Sequence, residues 1–382
     1  VYLIIMIIVF WQTIITPHMI HLASALQEDG HKVTYIAEER MTSDRKDMGW
    51  EEPDNTNVET IIIKNQDHIN RLIMNFSIDT IHCVQGVYAN GGMKKVRRSL
   101  KMYGARWGAI MEMVDERPFY WPIKRIIYRR YLSQWVARPD FILAIGTKTT
   151  DWVKNRGFLP KNTFPFTYFI NTYSDKKIDL NLTNGLFRIG FVGQLIQLKR
   201  VDLLIEALSS LLNQKFELVI IGDGPLYDVL KFQAIERLGS NRLSMLGQLN
   251  MKKVPSVMKS LDCFVLPSDY DGWGVVVTEA LMAGIPVISS DACGSSEAVI
   301  ASGVGGVFPK GNVAALQHLL ERSILERGIS KERSIQLAHW AKCLGDKAGA
   351  DYFSEIANFV YNGGKKPVPP WLKSNDTTGS GF

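Results

Sequence analysis

Cysteine is scarce in this chain of 382 residues: Cys83, Cys263, Cys293 and Cys343 stand far apart, with no CxxC pair among them. That spacing excludes a disulfide framework, gives no zinc signature, and suits a reducing compartment. Long apolar runs are also lacking. The N-terminal run VYLIIMIIVFW falls short of the roughly 20 residues that span a bilayer, and it carries no basic n-region or small-residue cleavage site. It reads as a buried first strand, and the chain is expected in the cytoplasm or peripheral on the cytosolic face of a membrane. There is no DxD-type cluster at a strand end and no metal-ligand histidine spacing, so no metal is expected. No nucleic-acid recognition module accompanies the basic residues, which argues against DNA or RNA as a partner.

Apolar residues make up 46% of the chain, enough for two domains with real cores. The net charge of +6 is unevenly placed. Lys94, Lys95, Arg97, Arg98, Lys101 and Arg106 cluster, followed by Lys124, Arg125, Arg129, Arg130 and Arg138. Such a face either meets an anionic membrane or a lipid-linked, phosphate-bearing acceptor, or is simply solvated.

Short apolar strands alternate with helices in both halves, which predicts largely parallel α/β sheets. The first half reads as strands at 1–10, 31–37, 58–63, 80–84 and 141–145, with helices at 17–29 and 149–155. The polar stretch Asn171–Gly185 reads as a linker. The second half reads as strands at 186–192, 216–221, 243–246, 263–266 and 287–290, with helices at 202–212, 227–238, 254–260 and 275–282. A closing helical region begins near Ala314, and a further helix over 345–360 fits either domain. Domains are expected at 1–175 and 186–340, with 341–382 forming a C-terminal helix and a flexible tail.

Two segments carry chemistry. In Gly193-Gln194-Leu-Ile-Gln-Leu-Lys199-Arg200 a strand runs into a glycine and then two cations. Gly193 lets backbone approach a ligand, and Lys199 or Arg200 can neutralise a diphosphate. In Asp271-Gly272-Trp273-Gly274-Val275-Val276-Val277-Thr278-Glu279 a glycine-bearing loop enters a helix. The N–H groups at that helix start form an anion site. Glu279, on an otherwise apolar helix, needs partners, and the two hydroxyls of a ribose would serve; the plainer alternative is an internal ion pair, with Asp271 as a helix cap. The Gly222-Asp223-Gly224-Pro225 turn and the Ser289–Glu297 segment, both at strand ends, add weaker signals.

Taken as a set, these motifs over about residues 186–325 resemble the nucleotide-sugar domain of retaining glycosyltransferase family 4. The resemblance implies a GT-B fold, with two Rossmann-like doubly wound domains facing a central cleft, and a nucleoside-diphosphate sugar (UDP- or GDP-linked) as donor. It implies that Glu279 holds the donor ribose and that Lys199, together with its neighbour Arg200, binds the diphosphate. Backbone around Gly274, Val275 and Val276 would assist, and Asp271, in place of the more usual Glu, would contact the transferred sugar. Gln194 stands where many members carry Arg.

The first half conforms less. Many relatives have a glycine-rich loop after the first strand, whereas this chain reads Trp11-Gln12-Thr13-Ile14-Ile15-Thr16-Pro17-His18. Gln12, Thr13, His18 and His82 are candidates for the cleft or the acceptor, with a structural role as the alternative for His18. Glu112 is aligned with a family histidine and is a candidate catalytic residue beside Lys199 and Asp271. The reaction implied is metal-independent hexosyl transfer with retention, in the synthesis of a surface polysaccharide or lipopolysaccharide. The alternatives are a sugar-nucleotide epimerase and a non-catalytic sugar-nucleotide-binding protein.

Overall fold

The computed structural model describes residues 5–47, 49–53, 57–88, 90–114, 121–133, 139–171, 185–251 and 253–373. The predicted linker lies almost wholly outside them, as do Arg138 and residues 374–382. The first half forms β1 (Ile7–Ile14), α1 (Pro17–Glu28), β2 (Lys32–Glu39), α2 (Ser43–Asp47), β3 (Glu59–Ile62), α3 (Gln66–Asn75), β4 (Ile81–Gln85), α4 (Met93–Met102), β5 (Trp107–Met111), α5 (Trp121–Ser133), β6 (Phe141–Ile145), α6 (Thr147–Lys154) and β7 (Thr163–Phe166). The second forms β8 (Phe187–Val192), α7 (Val201–Ser209), β9 (Phe216–Ile221), α8 (Tyr227–Leu238), β10 (Leu243–Gly247), α9 (Val254–Met258), β11 (Cys263–Leu266), α10 (Val275–Met282), β12 (Val287–Ser290), α11 (Ser296–Ser302), β13 (Gly305–Phe308), α12 (Val313–Leu325) and α13 (Lys331–Trp340), and the chain then continues into α14 (Asp346–Asn362).

These elements fall into two compact units. Unit 1 holds the described residues within 1–46, 51–171 and 344–373, and unit 2 those within 47–50 and 172–343. Each is built on one parallel sheet, ordered β3-β2-β1-β4-β5-β6-β7 in unit 1 and β10-β9-β8-β11-β12-β13 in unit 2. Both faces of such a sheet are covered, so its central strands read as continuous apolar runs. Ile8, Val9, Phe10 and Trp11 of β1 are fully buried, as are Leu218, Val219 and Ile220 of β9.

Residues 1–4 of the predicted first strand lie outside the described residues, and the strand runs on four residues beyond its predicted end, to Ile14. Pairing with β2 continues to Ile14 opposite Glu39, and Thr13 is tied to Gln85 on the next strand by its backbone N–H and its hydroxyl, both at 2.9 Å to Oε1. Extended backbone therefore occupies the stretch where the family resemblance implies a glycine-rich loop.

The last helix belongs to unit 1. Phe353 of α14 packs on Phe10 and Phe141, Tyr352 donates to the Pro165 carbonyl at 3.0 Å, and Ile170 bridges to Gly345. Beyond it Trp371 is buried against Phe169 and Tyr352. The chain after this helix packs on unit 1 as far as Lys373, while the last residues of the expected flexible tail, 374–382, lie outside the described residues.

In each sheet the strand order reverses once, between β1 and β4 and between β8 and β11. Connections leave in opposite directions at such a switch point, so the loops beyond the strand ends diverge and open a crevice where ligands bind. In unit 2 the two strands flanking it, β8 and β11, carry the two chemical motifs.

Candidate active site

β8 ends at Val192, and the chain passes through Gly193 into a short 3-10 turn, Gln197–Lys199. β11 ends at Leu266 and leads through Pro267 to Gly274 into α10. Because the strands are neighbours, the two loops touch. The Asp269 N–H donates to the Leu198 carbonyl at 2.9 Å. Lys199 Nζ stands 2.5 Å from Asp271 Oδ2, with the two side chains only 20% and 16% exposed. Partial burial of both groups strengthens this charge pair over a surface one.

The Asp271 loop is held from behind. Trp273 is buried and donates from Nε1 to Thr278 Oγ1 at 3.0 Å. Asp271 forms a parallel bridge with Cys293, and its carbonyl accepts from Gly294 N–H at 3.1 Å. The Ser289–Glu297 segment thus braces the loop: a side chain at Gly294 would meet the Gly272 carbonyl at 2.1 Å. Gly274 has φ +84, and a Cβ there would lie 2.8 Å from Leu266 Cδ2. It lets the chain turn directly from loop to helix. Val275, Val276 and Glu279 are the half-exposed residues of α10's first turns, between buried Val277, Thr278 and Ala280. Val275 and Glu279, four apart, share a face.

The Gly222–Pro225 turn is stitched to the loop after β8. Leu195 N–H donates to the Asp223 carbonyl at 2.9 Å, and Leu226 N–H to the Leu195 carbonyl at 3.1 Å. Gly222 therefore shapes the Gly193 loop from beside it. Gln194 is exposed on that loop. Arg200 has φ +50 and is engaged by Asp202 and Asp269 at 3.2 Å.

In unit 1, Gln12 is buried on β1 and Thr13 is bonded to Gln85. Thr16 caps α1 and Pro17 opens it, as its sequence position implies. His18 is buried beside the Tyr168 ring, and burial holds its pKa down to about 4, so it is neutral near pH 7. Tyr168 donates to Glu112 Oε1 at 2.6 Å. His18, Tyr168 and Glu112 thus form a chain of neighbours. Tyr168 escaped sequence reading because β7, the strand before it, is short and contains Pro165.

His82 does not reach a strand end. It lies near the start of β4, opposite Val9, and its Nδ1 accepts from Trp11 Nε1 at 3.1 Å inside the core. Burial lowers its pKa to about 4. The expectation that it is a cleft residue is corrected: strand direction puts the loop-facing position at Gln85 instead. Among the described residues, no group of three or more His, Cys, Asp or Glu is placed to hold a metal ion, and no helix is long and apolar enough to cross a membrane.

The fold is a GT-B-like doubly wound α/β architecture, shared with solved glycosyltransferases. The lipopolysaccharide outer core galactosyltransferase WaaB superposes with a TM-score of 0.66 at 16% identity, covering 92% of this chain and 99% of that one. Anabaena HepE, solved in complex with UDP, gives 0.68 at 15% identity over the same shares. In sequence, the family described as Glycosyl transferases group 1 matches residues 174–338, which contain every unit 2 candidate. An uncharacterised glycosyltransferase of Methanocaldococcus jannaschii is 33% identical over 153 residues, 38% of this chain and 39% of the relative. The amylovoran biosynthesis glycosyltransferase AmsK of Erwinia amylovora is 30% identical over 178 residues, 44% and 43% of the two chains. The matched stretch spans less than half the length of these two relatives.

Proposed function

We propose that this chain is a glycosyltransferase of family 4 type, moving a sugar from a nucleoside-diphosphate donor to an acceptor hydroxyl with retention, in the synthesis of a surface polysaccharide or another glycoconjugate. The observation that carries this reading is the meeting of Lys199 and Asp271 beside the start of α10, at the switch point of the unit 2 sheet. An ammonium and a helix N-terminus favour the diphosphate and the negative charge that grows on it as the glycosidic bond breaks. Asp271 accepts from hydroxyls of the transferred sugar, and Glu279 from the ribose. Leaving-group stabilisation of this kind requires no metal. Gly193, Gly222, Gly274 and the backbone of Val275 and Val276 shape the donor site, and Gln12, Thr13, His18 and Glu112 are assigned to the acceptor side.

Calorimetry with a panel of UDP-, GDP- and ADP-sugars tests the reading. One donor is expected to bind wild type, with at least roughly tenfold weaker binding for Glu279→Ala, the scale of a lost charged hydrogen bond. Donor binding without transfer to any acceptor would favour a sugar-nucleotide-binding protein, and release of an epimerised sugar would favour an epimerase. No binding to any donor would remove the support for transfer.

The proposed acceptor is lipid-linked and reached at an anionic membrane surface. On α4, Lys94, Lys95, Arg98 and Lys101 are exposed; on α5, Arg125, Arg129 and Arg130 are exposed beside Ile123 and Ile126, which are 65% and 70% accessible. Apolar and basic side chains sharing one exposed helix suit a lipid interface. Arg97 drops out of this face, because it is buried and donates to the Gln85 and Gly86 carbonyls at 3.2 and 3.1 Å. Reversal of Lys94, Lys95 and Arg98 to Glu is expected to weaken sedimentation with phosphatidylglycerol vesicles at least tenfold, at about 1 kcal/mol per basic residue near the surface. Unchanged sedimentation would exclude this surface.

A further inference from the structure

The loop from Gly193 to Arg200 carries two cations, and the structure gives them different surroundings. Lys199 points to Asp271 across the gap between the two loops. Arg200 is spanned by two carboxylates: Nε and Nη2 donate to Asp202, each at 3.2 Å, and Nη1 donates to both oxygens of Asp269 at 3.2 and 3.3 Å. Its backbone sits at φ +50, ψ +44, a left-handed conformation rare for residues with a long side chain. That conformation is imposed by position. Arg200 is both the last residue of the 3-10 turn and the N-cap of α7, so the chain must reverse there within one residue. A glycine would adopt it without strain. An arginine there is held by what its fork binds.

Asp202 lies in the first turn of α7, whereas Asp269 lies on the loop after β11. The guanidinium therefore ties the two loops together, one residue from Lys199 on one side and two residues from Asp271 on the other. The Asp269 N–H to Leu198 carbonyl bond is the parallel backbone tie. We propose that Arg200 is a positioning residue: its fork clamps the loop after β11 to the start of α7 and so sets Lys199 against Asp271 for the donor. The inference rests on the donor-site reading above and divides the labour of the two cations, Lys199 meeting the diphosphate and Arg200 holding the frame.

Three variants of the full chain test it. Arg200→Gly keeps the backbone conformation and deletes the fork, Arg200→Lys keeps the charge without the fork, and Asp269→Asn weakens one arm only. Two readouts are followed: donor kcat/KM, and the NMR signal of the Lys199 ammonium, which reports its bond to Asp271 without any donor. Arg200→Gly is expected to lose the salt-bridged ammonium signal and roughly tenfold or more in kcat/KM, with Arg200→Lys rescuing neither fully and Asp269→Asn falling in between. In a Lys199→Ala background, Arg200→Gly is expected to add little, because the two act through one contact. The proposal is overturned if Arg200→Gly leaves the ammonium signal intact. It is also overturned if the losses add fully and Asp269→Asn tightens nucleoside diphosphate binding, since a released guanidinium would then be contacting phosphate directly. Should wild type bind no donor, the transferase reading fails, while the ammonium signal still decides the clamp.

Discussion

Lys199→Ala is expected to lower kcat/KM for the donor by roughly 10²- to 10³-fold, the usual cost of removing one preorganised group that stabilises developing charge. The size follows from where the ammonium sits. Its side chain is 20% exposed and already ordered by Asp271 at 2.5 Å, so little reorganisation is needed when a diphosphate arrives. Two partners then share one ammonium: the diphosphate and the carboxylate that faces the sugar. Removing it also leaves Asp271 half-buried without its countercharge, adding repulsion toward the incoming diphosphate. Both effects weaken donor binding as well as turnover. Steady-state kinetics with Lys199→Ala and Lys199→Arg check this, the arginine variant retaining charge and recovering part of the loss. A donor KM and kcat for Lys199→Ala equal to wild type would remove Lys199 from the site.

Gly222→Ala is expected to destabilise the protein by about 3–5 kcal/mol, combining left-handed backbone strain with overpacking. Gly222 has φ +141, and a Cβ there would lie 1.9 Å from the Gly193 carbonyl oxygen and 2.9 Å from its carbon. Both atoms are backbone, so no side chain can swing away. The added methyl must push apart β9's exit and the loop that carries Lys199. For a unit of this size that amounts to a fall in melting temperature of roughly 10 °C. Thermal denaturation measures it, and donor affinity at low temperature measures the displacement of the loop. A wild-type melting temperature would mean that the two turns are not packed as described.

The unit 2 elements were legible because their ends are punctuated. β9, α8, β11, α10 and β12 begin and end where the sequence reading places them, bounded by such residues as Gly222, Gly239, Pro267, Gly274 and Pro286. β13 gives no strand signal in the sequence, because its four residues, Gly305–Phe308, include two glycines and carry no alternating pattern. In α4 the run of lysines and arginines masks the helical spacing of Val96 and Leu100 on its buried side. In the site, residue types were legible but partnerships were not. Lys199 and Asp271 meet only because β8 and β11 are neighbours in the sheet, which a linear pattern does not state. The same holds for Arg200, where a cation suited to phosphate is spent on Asp269 and Asp202, and for His82, where strand direction decides between core and loop.

The return of the chain to unit 1 has a consequence for biosynthesis. α14 supplies Phe353 and Tyr352 to aromatic contacts with Phe10, Phe141 and Phe166, yet it leaves the ribosome only after the whole unit 2 sheet has been made. At ordinary elongation rates that is a delay on the order of ten to thirty seconds. All six strands of the unit 2 sheet lie in one continuous stretch, so it can complete during this interval, while the nascent first sheet waits with rings of β1, β6 and β7 uncovered. Chaperone engagement during synthesis should therefore concentrate on the N-terminal half, and release should coincide with emergence of α14.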